Sequence, residues 1–201
     1  MIEVLSPGFL SIIVDRGRQG HGHIGVPSSR ELDRHASAIA RYLVDIPEDA
    51  ALLEVMGNDL RLRVLRDMSF AVTGAKVKAT LDDEPLRPWA AVRAKEGSIL
   101  RVAEVLEGLR YYIAFSGIID VEPVMGSSTT NLECNFGGFH GRPLMKGDMV
   151  ALRDIREPAG LQTVPETMIP SMREPHLVRV IAGPEADNFV PRSVRFLANR
   201  K

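Results

Sequence analysis

Hydrophobic and polar positions alternate along this chain in short runs. Leu60, Leu62 and Val64 are separated by Arg61 and Arg63, and Val77, Ala79 and Leu81 by Lys78 and Thr80. A period of two sends one set of side chains inward and the other to water, as a half-buried strand requires. Residues 9–14, 68–73, 89–93, 98–102 and 110–116 read the same way. The breaks Asp82-Asp83-Glu84-Pro85 and Lys95-Glu96-Gly97 are predicted hairpin loops. Many short strands at regular spacing predict a barrel or a sandwich, and the pattern alone does not choose between them.

One segment changes period. Leu32, Ala36, Ile39, Ala40 and Leu43 follow helical spacing, and Ser28-Ser29-Arg30-Glu31 matches a capping box. Pro47 ends the pattern, because the residue before a proline is pushed out of the α region. The expectation is a helix over residues 29–44, set as a lid or plug on the barrel. The texture changes again after residue 153, where Pro158, Pro165, Pro170 and Pro175 punctuate weak periodicity. The predicted organisation is therefore a β-rich barrel domain over 1–153, a Pro-rich linker over 154–175, and the first strand and helix of an incomplete second domain over 176–201. That strand is expected at 177–181, and the helix carries Val190, Val194 and Leu197 on one face. A strand and a helix cannot bury a core by themselves.

Composition excludes more than it identifies. The chain has 201 residues and a net charge of −1, with Lys and Arg scattered, so it is not built for nucleic acid or an anionic membrane. No run has the length of a bilayer span, and the N-terminus lacks the basic start and apolar stretch of a secretory signal. A single cysteine, Cys134, cannot form an internal disulfide. The expected location is the cytoplasm.

Candidate chemistry falls in two glycine-rich segments. In residues 15–33 the run Gly20-His21-Gly22-His23-Ile24-Gly25 formally matches a dinucleotide fingerprint, but Pro27 and the helix cap intervene and the neighbouring strands read as antiparallel. No G-x-x-x-x-G-K-[ST] loop occurs, so any ATP chemistry belongs to another subunit. His21 and His23, with Asp15, Asp33 and His35, contain ligand atoms without helical ligand spacing, and no metal site is expected. Arg16, Arg18 and the histidines are candidates to line a mouth for an anionic or amide-bearing substrate, since the planar arginine fork suits a carboxylate. A structural pairing of Asp15 with Arg18 is the competing reading. In residues 126–148, Ser127, Ser128, Thr129 and Thr130 offer hydroxyl donors to a ligand or to the backbone. Cys134 is expected to be packed and inert.

The order of motifs is more informative than any one of them. S-P-G-F-L (6–10), V-D-R-G-R (14–18), G-V-P-S-S (25–29), E-L-D (31–33), P-E-D-A-A-L-L-E (47–54), V-T-G-A (72–75), S-G-I-I-D-V (116–121), G-S-S-T-T (126–130) and G-G-F-H-G-R-P-L-M-K-G-D (137–148) follow one another. In this order they resemble the KipA family, the C-type subunits of 5-oxoprolinase, also called the biotin-dependent carboxyltransferase A/B subdomain family, with likeness to allophanate hydrolase subunit 2. The resemblance implies a cyclophilin-like β-barrel with one or two short helices and a second domain after the linker. It implies one component of a multi-subunit amide-processing enzyme, inactive alone. The leading expectation is ATP-dependent hydrolysis of 5-oxoproline to glutamate with a KipI-like subunit (the B type of 5-oxoprolinase) and a lamB/YcsF-like subunit. The alternatives are a regulatory protein that antagonises a KipI-like kinase inhibitor, or carboxyl transfer from carboxybiotin to a urea-like substrate. No cofactor is expected on this chain itself, with ATP handled by the complex. The candidates for substrate binding or for the subunit interface are Asp15, Arg18, His21, His23, Asp33, Ser127, Thr129 and Arg142, with catalytic residues unassigned. Val14 and Ser128 stand where the family usually has Gln and Arg, Arg30 where it usually has Gly, and Ile118 replaces a second glycine.

Overall fold

The computed structural model describes residues 1–158, 160–173 and 179–198. Strand outweighs helix, 37% to 13%, so the class is mainly β, as expected. The strands are β1 (Ile2–Pro7), β2 (Leu10–Val14), β3 (Leu52–Met56), β4 (Leu60–Val64), β5 (Met68–Leu81), β6 (Glu84–Pro85), β7 (Ala91–Ala94), β8 (Ile99–Phe115), β9 (Ile118–Ile119), β10 (Met149–Val150) and β11 (Leu152–Arg153). The helices are α1 (Arg34–Leu43) and α2 (Pro191–Ala198).

The strand pairings are antiparallel throughout. β1 pairs with β4 and β2 with β3, while β8 takes β4 on its first half and β3 on its last. β5 runs along the opposite edge of β8, from Phe70 facing Phe115 to Leu81 facing Leu100. The sequence pattern reads β5 and β8 as two short strands each. They are continuous because bulges between Gly74 and Ala79 absorb the break in alternation. Gly74 has φ +95°, and a Cβ there would crowd the Arg110 carbonyl. β10 returns to β1, and β11 pairs with β9, the short extension beyond β8. Residues 149–153 thus run from the edge of the large sheet into a separate two-stranded sheet.

The sheet is buried on both faces where the strands are longest. Ile13, Leu53, Val55, Phe70, Val72, Tyr111, Ile113 and Phe115 point into the barrel core. Their neighbours Val14, Leu52, Ala71, Tyr112 and Ala114 point the other way, onto Ala36, Ala40 and Leu43 of α1. The helix therefore covers the outer face of the sheet and does not plug an end. It also begins later than the capping-box pattern suggests. Asp33 is the N-cap, and its side chain accepts from the His35 and Ala36 amides. The preceding backbone is held elsewhere: Glu31 N donates to Asp15 O at 3.1 Å, Leu32 N to Glu54 Oε2 at 3.1 Å, and Ser28 O accepts from Arg18 N at 2.8 Å. Leu32, counted on the apolar helix face by its spacing, is exposed.

The proline-punctuated stretch is not free of the barrel. Ala90 and Thr163 form a β-bridge, Val164 N donates to Trp89 O at 2.9 Å, and Val164 is buried in the core beneath α1. Ile169 packs on the same cluster. Of the strand expected at 177–181, Leu177 and Val178 lie outside the described residues; Arg179, Val180 and Ile181 carry no regular structure, and Ile181 is 95% exposed. The helix expected at the end is α2, preceded by exposed Phe189 and Val190.

Candidate functional site

Asp15 organises one end of the barrel. It leaves β2 nearly buried and turns its carboxylate onto the G-S-S-T-T loop. Oδ1 accepts from Gly17 N at 2.7 Å, Ser127 Oγ at 2.6 Å and Thr129 Oγ1 at 2.8 Å, and Oδ2 accepts from Ser128 N at 2.5 Å. The Asp15 amide donates back to Thr129 Oγ1 at 2.7 Å. The Ser127 and Thr129 hydroxyls are buried and directed at this carboxylate, so they shape the loop instead of facing a ligand.

Arg18 holds the same loop from the other side. Its Nε donates to Val124 O at 3.1 Å and its Nη2 to Thr129 O at 2.6 Å, with the guanidinium 4.5 Å from the Phe136 ring centre. Only 3% of Arg18 is exposed. Burial lowers its pKa, and the charge of Asp15 opposes that shift. No direct ion pair joins Asp15 to Arg18 among the described contacts; each is tied separately to residues 124–129. Gly137 makes the close approach possible, because at φ +69° a Cβ would meet the Thr129 carbonyl and the Arg18 guanidinium.

The other sequence candidates lie apart. Arg142 makes a two-pronged pair with Asp148, at 2.7 and 2.8 Å, and closes the residue 142–148 turn. Its hydrogen bonds hold the Asp148 carboxyl below the usual carboxylate range. Asp33 caps α1, and its amide donates to Tyr112 Oη at 2.8 Å. The Tyr112 hydroxyl in turn donates to Glu54 Oε2 at 2.8 Å, and burial raises its pKa. His21 and His23 sit on an exposed single turn, where His23 Nδ1 is 3.0 Å from Gly20 O. His35 Nε2 lies 3.3 Å from Met168 O. Among the described residues no cluster of three or more His, Cys, Asp or Glu is arranged to hold a metal ion. Cys134, expected to be packed, is exposed, because it lies in the turn closed by Asn131 and Phe136.

What the loops enclose is a cleft of about 500 Å³. Its walls are residues 15–17, Pro47, residues 49–51, residues 118–121, Gly126 and Ser128, with Pro123 and Arg153 completing it. Four of the sequence motifs, distant along the chain, meet here. Arg16 lines the cleft; Arg18, His21 and His23 do not. Behind the 47–51 wall, buried Arg41 donates Nε to Ala50 O at 2.7 Å and Nη1 to Glu31 Oε1 at 3.3 Å, fixing that loop against α1. Of the cationic groups that line the cleft, Arg16 is paired with Glu48 at 2.9 Å, and Arg153 with Asp154 at 2.8 Å and with Asp120 at 3.7 Å. Sequence reasoning does not reach Asp120 and Arg153. The one available signal is Asp120 itself, an exposed acid directly after the apolar run that ends in β9.

A curled antiparallel half-barrel sheet with one helix on its outer face and a cleft walled by motif loops puts the chain in the class of small mainly β domains. The model of the family "Carboxyltransferase domain, subdomain A and B" matches residues 24–201, and the chain belongs to that family. It is 32% identical to the C-type subunit of 5-oxoprolinase from Escherichia coli (strain K12) over 94% of its own length and 60% of that protein. It is 31% identical to urea amidolyase of Saccharomyces cerevisiae over 100% of its length and 11% of that protein. The crystal structure of Kluyveromyces lactis urea carboxylase overlays on 86% of this chain and 16% of its own, with a TM-score of 0.81 and 31% identity. The crystal structure of TTHA0988 overlays on 96% of this chain and 38% of its own, with a TM-score of 0.86 and 30% identity. The chain thus spans less than two thirds of the length of these relatives. Among the described residues no helix is long and apolar enough to cross a membrane.

Proposed function

We propose that this chain is one component of a multi-subunit amide-processing enzyme, with the KipA-type role in ATP-dependent 5-oxoproline hydrolysis. The ring C–N bond of the lactam is broken with water to give glutamate, and ATP is handled elsewhere in the complex. The observation that carries the reading is the match to the E. coli 5-oxoprolinase component along nearly the whole chain. The cleft supports it, since four motif segments build a space of small-molecule size at one end of the barrel. The partners in this reading are a KipI-like subunit and a lamB/YcsF-like subunit.

The urea amidolyase and urea carboxylase relatives favour a second reading, carboxyl transfer from carboxybiotin to a urea-like substrate. One assay separates the two. The chain is combined with its KipI-like and lamB/YcsF-like partners, and ATP hydrolysis is followed with and without 5-oxoproline. Stimulation by 5-oxoproline that disappears when Ser128→Tyr fills the cleft is the expected result. A stable complex that turns over no cyclic or linear amide refutes the proposal, and activity confined to urea with carboxybiotin selects the second reading.

A further inference from the structure

The charges around the cleft say which part of a substrate this chain can read. Three carboxylates line it, Asp15, Asp49 and Asp120, against two guanidiniums, Arg16 and Arg153. Asp15 is fully engaged by four donors from its own loops. Each guanidinium already faces an acid, Glu48 for Arg16, and Asp154 and Asp120 for Arg153. No surplus positive charge is left to hold a carboxylate, and an added anion would meet Asp49 and Asp120. The cleft is not an anion site.

It is suited to a neutral donor–acceptor edge. Asp120 is anchored by its backbone, with N donating to Ala151 O at 3.0 Å, and its side chain is exposed. Its Oδ1 stands 3.7 Å from Arg153 Nε, too far for a direct hydrogen bond, so an acceptor and a donor sit side by side with neither consuming the other. A surface ion pair of this kind contributes little and gives way easily. A lactam or a primary amide presents its N–H and C=O on one edge, whereas a trans secondary amide presents them on opposite edges. Apolar Ile119, Val121 and Ala51 offer a surface for the flat face of the amide.

We infer that the cleft of this chain binds the uncharged cis-amide edge of its ligand, with Asp120 accepting the N–H and Arg153 donating to the carbonyl. Taken with the 5-oxoproline reading, on which this rests for the identity of the substrate, the carboxylate of that substrate is read by a group outside this chain.

The test is ligand titration of the full 201-residue chain, followed by NMR shifts of residues 118–121 and 153. The expected result is that 2-pyrrolidinone and acetamide bind, that 5-oxoproline binds no more tightly than 2-pyrrolidinone, and that N-methylacetamide binds more weakly. Binding should not change with added salt, because no net charge is neutralised. Asp120→Ala, which leaves the backbone bond to Ala151 intact and removes the acceptor, and Arg153→Gln should each weaken 2-pyrrolidinone about tenfold, the scale of one hydrogen bond to a charged group. Binding of 5-oxoproline without 2-pyrrolidinone, no binding of either, or undiminished binding by folded Asp120→Ala overturns the inference. Failure of the assembled complex to turn over 5-oxoproline, with 2-pyrrolidinone still bound through Asp120, removes the functional proposal and leaves this one standing.

Discussion

Replacing Asp15 by asparagine tests whether this residue serves the loop or a ligand. The carboxylate accepts from Gly17 N, Ser127 Oγ and Thr129 Oγ1 through one oxygen, and from Ser128 N through the other. In Asp15→Asn one of those atoms becomes an NH₂. If the remaining oxygen keeps its three donors, the Ser128 amide faces a donor and is left unpaired, a loss of about 1–3 kcal/mol. The three surviving bonds lose their charge assistance, about 1 kcal/mol each if fully independent. Asparagine does not bury a charge, which offsets part of this. The expected net loss is about 3 kcal/mol, or roughly 9 °C in Tm for a domain of this size. Urea unfolding should show a lower midpoint at unchanged slope. Asp49→Asn, on the same cleft but exposed, should stay within about 0.5 kcal/mol of the parent. A loss below about 1 kcal/mol for Asp15→Asn would show that the four donors are satisfied without the charge, and the organising role would be wrong.

Gly137→Ala should cost more than about 3 kcal/mol or abolish soluble expression, since its Cβ would meet the Thr129 carbonyl and Arg18; Gly20→Ala, with a similar φ of +81° but open space around it, should cost about 1 kcal/mol in the same denaturation assay. The folded Asp148 carboxyl is held below its unfolded value by Arg142, so its contribution is present above the ordinary carboxylate pKa and lost as pH falls through the depressed one. Acid unfolding should therefore be less steep in Asp148→Asn than in the parent, and parallel curves would refute the linkage. Val164→Ala should lose about 1.5 kcal/mol and make residues 160–170 more open to limited proteolysis, because Val164 is buried beside Trp89.

The sequence shows the class of fold more clearly than its continuity. Alternation at Leu60, Leu62 and Val64 places β4 directly, and these side chains are all in the barrel core. The same reasoning splits β5 and β8, because a bulge shifts the period where Gly74 sits and a two-residue rule sees an interruption there. The start of α1 departs from its pattern for a related reason. Ser28 and Glu31 make a sound local cap, but Asp15, Arg18 and Glu54 take up the backbone groups of residues 28–32, and only from Asp33 is the chain free to coil. Prolines give residues 154–175 the look of a linker, although Val164 carries enough apolar surface to pin part of it beside Trp89.

The cleft is partly legible and partly not, and the division follows sequence separation. Asp15, Ser127 and Thr129 stand out singly as polar residues among glycines, yet their common bond network joins positions more than a hundred residues apart, which no local pattern encodes. That network gives these residues a task different from the one their chemistry suggests. The hydroxyls stabilise a buried carboxylate, the carboxylate fixes the G-S-S-T-T loop, and Arg18 secures its reverse side. The groups left facing the cleft are the ordinary ones on exposed segments, Arg16, Asp49, Asp120 and Arg153. The glycine and aspartate motifs of these loops thus serve the frame, while the side chains that face the cleft stand on neighbouring exposed segments. On that physical view, changes at Ser128, Asp120 or Arg153 alter what the cleft accepts with little effect on folding, whereas changes at Asp15, Arg18 or Gly137 destabilise the loops that form it.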